Sequence, residues 1–439
     1  MKKEKPEKAL SRPELDAARA ALAKARGRQR LDVILDAKHP QALVRALPAD
    51  ELYLAIRDIG LGDAVALVQL ASAEQLKVFV DLDAWSRDGF EPKKAMPWLR
   101  AARAGAHLDP KAAARWERKL ASLDREVLYL ILRSSLRIHD LEQDPDPELH
   151  ADHFMRSPEG KFVVEFLVEG TEYLAVKGLL DDLYAEDPFA AARLLSSLRW
   201  DLPSELEESA LRWRTGRLAD LGYPTVDEAL SWFARPPRGP APHHAAPPAR
   251  PPGFLLATLA RGSLLDRAFA LLAPSERDSV EGQIVAAANA VVVADAVDPA
   301  DPDAVGAAFE AARGYLDLGL DRLSDGDDAR AAGALAETPV KRIFQEGFGR
   351  ALELAWRARD LRKRAGEEAT FGSPIDEVLE ALSGRRPRYF PGVEAPEAEW
   401  GTVAAAAYQP RHFATPEDLA RTAAALDRAE RKLSAAGPA

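Results

Sequence analysis

The chain has no cysteine and only 3 methionines among its 439 residues. Without thiols there is no disulfide framework, no thiolate metal site and no cysteine nucleophile. Long apolar runs are missing too: the longest, such as Ile284 to Ala294, are too short or too interrupted to cross a bilayer, and no apolar segment follows the charged N-terminus. No membrane span or leader is expected, and the chain reads as cytoplasmic. Aromatic residues make up 7% and the apolar–polar alternation of half-buried strands is nearly absent, which points to a mainly α fold. The common catalytic signatures are also lacking. There is no Gly-x-Ser-x-Gly elbow, no His-Glu-x-x-His and no phosphate-binding lysine loop, and Gly347 and Gly349 follow no strand. An excess of 70 acidic over 59 basic residues gives a net charge of −11, which disfavours nucleic acid as a partner.

What is present is helix, written most plainly between Leu43 and Leu99. Pro48 stands where a first helical residue belongs, and Leu52, Ile56 and Ile59 recur at helical spacing. Gly60 and Gly62 break that helix, and Asp63 is placed to cap a second apolar stripe of Ala64, Leu67, Val68 and Ala71. Ser72 and Gln75 have the spacing of a capping box ahead of Leu76, Phe79 and Val80. Helices this short are unstable alone in water, so their apolar faces must cover one another.

The run of a Leu-Pro-x-x-Glu helix, a short helix, a Ser-capped helix and Leu82-Asp83-x-Trp85 resembles the superhelical repeats of MgtE-type magnesium transporter N-terminal domains and of flagellar rotor switch proteins. The whole chain, with KFVVEF at 161–166, SPIDEVLEAL at 373–382 and RRPRYF at 385–390, resembles an uncharacterised bacterial domain family of unknown function. The first resemblance implies an armadillo-like, superhelical N-terminal half. The second implies no catalytic residue.

Residues 1–30 read as a charged tail and a first helix from Pro13 to Arg30, whose Lys24, Arg26, Arg28 and Arg30 form a solvated basic end. Helices are predicted over 109–120 and 124–138. Residues 153–168 then change period, Phe162, Val164 and Phe166 alternating against Val163 and Glu165, which predicts a small β-hairpin about Pro158-Glu159-Gly160. Helix returns from Glu172 to Phe233. There Gly222-Tyr223-Pro224 before Trp232 echoes Gly89-Phe90-Glu91-Pro92 before Trp98, as if a helical unit were duplicated within residues 31–233. Residues 234–253 hold eight prolines and read as an extended linker to a helical C-terminal half, 254–439. In that half Ile284–Val293 is apolar on nearly every side, so a surrounded helix is expected, with Asn289 needing a partner.

Candidate chemistry is sparse. Asp144, Asp146, His150, Asp152 and His153 are ligand types crowded into one stretch, but their spacing fits no named metal site and a polar loop is the expectation. Trp85, Trp98, Trp213 and Trp232 fall at or near turns, where large rings lock helical layers or mark a partner-binding surface. Arg385, Arg386 and Arg388, held extended by Pro387, either bind an anion or pair with the acidic body. No cofactor is implied. The reading is a cytoplasmic helical scaffold that contacts another protein and carries no catalytic activity; the alternative is a regulator sensing a divalent metal or small ligand.

Overall fold

The computed structural model describes residues 10–86, 89–200, 203–236, 262–366, 369–400 and 407–435. The chain divides into two compact units: residues 1–221 with 252–258 and 299–302, and residues 222–251 with 259–298 and 303–439. Most of the proline-rich stretch and residues 254–261 of the expected helical C-terminal half lie outside the described residues.

The first unit opens with α1 (Arg12–Lys24), α2 (Arg28–Leu35) and α3 (Pro40–Ala46). The single helix expected from Pro13 to Arg30 is two, because Gly27 turns the chain with φ +48°. Its N–H donates to Asp58 Oδ2 at 2.6 Å. Arg30 is buried against the same carboxylate at 2.8 Å instead of being solvated.

Helices α4 (Ala49–Ile59), α5 (Val65–Leu70) and α6 (Ala73–Asp83) follow, with Pro48 as the cap of α4 and not its first residue. Gly60, at φ +97°, stops α4. Helix α5 is preceded by Ala64 and has no side-chain cap, so Asp63 does not take the expected role. The capping box of α6 is formed: Gln75 N–H donates to Ser72 Oγ at 3.1 Å and Ser72 N–H to Gln75 Oε1 at 2.8 Å. Gln75 Nε2 also reaches the carbonyls of Val44 and Leu47, fastening the end of α3 to α6.

A two-stranded ladder, β1 (Trp85–Ser86) with β2 (Gly89–Phe90), leads into α7 (Pro92–Arg103), α8 (Pro110–Ser122) and α9 (Arg125–Ser135). The rings of Tyr53 and Phe79 lie 5.6 and 5.1 Å from that of Trp98 at the centre of this layer. Asp83 completes the cluster, accepting from Trp98 Nε1 at 2.7 Å and from the Tyr53 hydroxyl at 3.1 Å.

Helix α9 was expected to run to Ile138 but ends at Ser135, and β3 (Leu136–Asp140) begins at once. With β4 (Phe154–Arg156) and β5 (Phe162–Phe166) it forms an antiparallel sheet in the order β3-β5-β4. The predicted hairpin is present about Gly160, yet its second strand is the centre of a three-stranded sheet and every residue of it is buried. The unit continues through α10 (Gly170–Glu186), α11 (Pro188–Trp200) and α12 (Pro203–Asp220).

The second unit comprises α13 (Val226–Leu230), a 3-10 turn at Ser231–Phe233, α14 (Leu264–Leu271), α15 (Pro274–Ala294), α16 (Pro302–Ser324), α17 (Asp328–Glu337), α18 (Val340–Ala365), α19 (Ile375–Ser383) and α20 (Pro416–Ala435). The Gly222 stretch thus leads into a five-residue helix and a 3-10 turn, whereas the Gly89 stretch leads into the twelve-residue α7. Helix α15 buries nearly all of 284–292, and Asn289 donates to the Gly222 carbonyl at 3.2 Å.

Helices α16 and α18 touch backbone to backbone. A Cβ on Gly319 would lie 1.9 Å from the Ile343 carbonyl oxygen, and one on Gly347 would lie 1.9 Å from that of Tyr315. Both glycines are packing residues, required because any side chain would force the helices apart.

Candidate functional site

The first unit carries a half-open cavity of about 530 Å³ built from stretches far apart in sequence. Leu61 comes from the turn between α4 and α5, Val65 from the start of α5, Met96 to Arg103 from α7, Trp116 from α8 and Thr171 to Leu179 from α10. Its walls are mostly apolar, and its size is that of a ligand or side-chain pocket. One wall is set by Gly178: a Cβ there would meet the Arg103 guanidinium at 2.7 Å, so the missing side chain lets Arg103 lie across α10. Arg103 is fixed by Asp182, whose Oδ2 accepts from Arg103 Nε at 2.5 Å and from Trp116 Nε1 at 2.7 Å. Leu174 stands at the rim with 64% of its surface exposed.

Behind this groove lies a group that sequence reasoning passed over. Lys119 is only 2% exposed, and its Nζ donates to the Gln69 carbonyl at 2.8 Å. Burial, aided by the nearby charges of Arg115 and Arg45, lowers its ammonium to about 7. The signal was available: Lys119 lies three residues after Trp116 and beside Leu120, on the buried stripe of α8.

The acidic stretch does not assemble into a metal centre. Asp144, Asp146, His150 and Asp152 have exposed side chains, and His153 stacks on Tyr173 with ring centroids 4.0 Å apart. Among the described residues no three His, Asp or Glu side chains are grouped to hold a cation. What organises the stretch is Glu165, expected on the outward face of its strand but 0% exposed. It accepts from the amides of His150 and Ala151, and its other oxygen lies 2.7 Å from His139 Nε2. Burial alone would raise this carboxyl, but the His139 and amide hydrogen bonds outweigh it and hold it at about 2.

In the second unit Arg386 and Arg388 close on Asp295, Arg388 at 2.9 Å, while Arg385 is exposed. Asp295 also sits 2.6 Å from His412 Nε2, and His412 Nδ1 is 3.0 Å from the Tyr315 hydroxyl. Burial raises the Asp295 carboxyl, yet His412 and the two arginines bring it down to about 2, while burial lowers the imidazole. An ionised carboxylate can only accept, so Nε2 carries the imidazole proton and Nδ1 accepts from tyrosine. Both ring nitrogens are therefore engaged, and the one that keeps a lone pair faces the Tyr315 hydroxyl, which is 0% exposed.

The tryptophans divide by burial. Trp98 is enclosed in the first core; Trp85 is buried against Phe90 and Arg214; Trp232 is buried with its ring centroid 5.5 Å from Phe344. None of these three presents its ring to solvent. Trp213 on α12 and Trp200 at the end of α11 are exposed.

The family model described as "Family of unknown function (DUF6178)" matches residues 7–434, nearly the whole chain. No curated protein and no solved structure matches it. The likeness of residues 43–99 to transporter and rotor-switch repeats accordingly carries no functional argument. Among the described residues no helix is long and apolar enough to cross a membrane.

Proposed function

We propose that this chain, which belongs to the DUF6178 family of unknown function, is a helical scaffold that works in the cytoplasm by holding a protein partner in the groove between α7 and α10, without catalysis of its own. One observation carries the reading: an apolar trough flanked by protruding leucines, Leu174 at its rim and Leu108 just past the lining residue His107, the latter 79% exposed. Apolar side chains that project beyond a pocket add nothing to the capture of a small solute, but they extend the contact with a protein surface.

The test is a photo-cross-linking amino acid at position 174 of the full chain in its native cells. A discrete adduct, abolished by Val65→Asp on the groove wall, is the expected result. The same adducts formed equally from an exposed position on α12, or none at all from 174, would dismiss the groove as the contact surface.

A further inference from the structure

The groove's charge runs opposite to that of the chain. Against a net charge of −11, its lining holds Arg100, Arg103 and His107 and no carboxylate. Two carboxylates beside the groove are already engaged. Asp182 holds Arg103 and Trp116, and Asp109 accepts from the amides of Lys111 and Ala112 as the cap of α8. Arg100 and His107 are exposed and have no partner among the described residues. A free guanidinium beside an apolar trough is a place where an arriving carboxylate gains a charge-assisted bond without displacing an existing one.

Resting on the reading of the groove as a protein-docking surface, we infer that its occupant is an acidic amphipathic helix. Leucine-type anchors at i, i+3 or i+4, and i+7 fill the space between Val65, Met96, Trp116 and Leu179, and a glutamate or aspartate on the flank pairs with Arg100. A helix fits better than an extended strand because the lining residues come from helices and their connecting turns, which offer no open strand edge for main-chain pairing.

The experiment is selection of a displayed library of helical peptides, with a fixed amphipathic pattern and randomised flanks, on the full chain and on its Arg100→Glu and Leu174→Asp variants. Both substituted positions are exposed, and unchanged thermal melts establish that the variants fold. Peptides enriched on the native chain carry acidic flanks and bind about tenfold or more weakly to Arg100→Glu, with the difference shrinking as salt is raised. Enrichment that needs Leu174 but shows no acidic bias overturns the inference while leaving the groove as a docking surface. Failure to enrich any Leu174-dependent peptide overturns both. Arg100-dependent binding of dodecanoate with no peptide enrichment gives the groove to a small acyl carboxylate, and the inference falls.

Discussion

Asp50 is 1% exposed, and its Oδ1 is buried without a hydrogen bond. Burial raises its carboxyl to about 6, so the folded chain holds this proton more tightly than the unfolded chain, whose value is near 3.8. Stability therefore falls as pH rises from about 4 to about 6, and the full cost is present above that window. Asp50→Asn is expected to raise stability at pH 7 by up to about 3 kcal/mol and to have little effect below pH 4, as read by denaturant unfolding at the two pH values. Lys119 has the opposite charge and an analogous cost: its ammonium is held at about 7, so the penalty of burying it is complete below that pH and relieved as pH rises toward 10.5. Lys119→Met should stabilise the first unit at pH 6 more than at pH 9, and a larger gain at pH 9 would contradict the assignment. In sequence only the place of Lys119 on the apolar stripe of α8 hints at burial, and nothing does so for Asp50. Asp50 looks like a first-turn acid favoured by the helix dipole, and Lys119 like a solvated stem, because burial on all sides is decided by neighbours from elsewhere in the chain.

At the scale of elements, the capping box and the glycine stop were legible because they are written locally, whereas Asp63 does not cap α5 and Pro48 precedes α4 instead of opening it. Ser72 with Gln75, and Gly60, each act within one turn. Strand β3 was not legible, since Leu136 and Ile138 continue the apolar spacing of α9, and pairing with residues 162–166 is what turns them into strand. Glu165 was misread for a related reason: alternation assumes one wet face, and a central strand covered on both faces has none. Its carboxylate fastens residues 150 and 151 to the sheet, and because it is held at about 2 this contribution is complete above about pH 4.5 and lost as pH falls toward 2. Glu165→Gln should expose the connection between β3 and β4 to proteolysis at neutral pH, whereas the native chain resists until acid. Equal cleavage of the two at pH 7 would remove the carboxylate from this role. The crossing of α16 and α18 predicts a larger effect: Gly347→Ala should cost about 3 kcal/mol or more, because the added methyl meets a carbonyl and not a side chain that can swing away.

For the molecule as a whole, the mainly helical character followed from composition and period, while the groove did not. Its walls come from 61–65, 96–107, 116 and 171–179, and Arg100 in isolation is an ordinary cation at a helix end. The scattered ligand-type residues at 144–153 yield a whole-chain prediction: magnesium or manganese leaves the melting temperature unchanged, and replacing Asp144, Asp146 and Asp152 together by alanine does not alter that response. A metal-dependent rise abolished by the triple substitution would restore the sensing alternative. The glycine contact between α16 and α18 has one more implication. Two rods separated by side chains can slide by repacking them, but two rods whose main chains already meet have no compliant layer and move only together. Any rearrangement in the second half of this protein must then treat that pair as a single hinge-free strut and take up its displacement elsewhere.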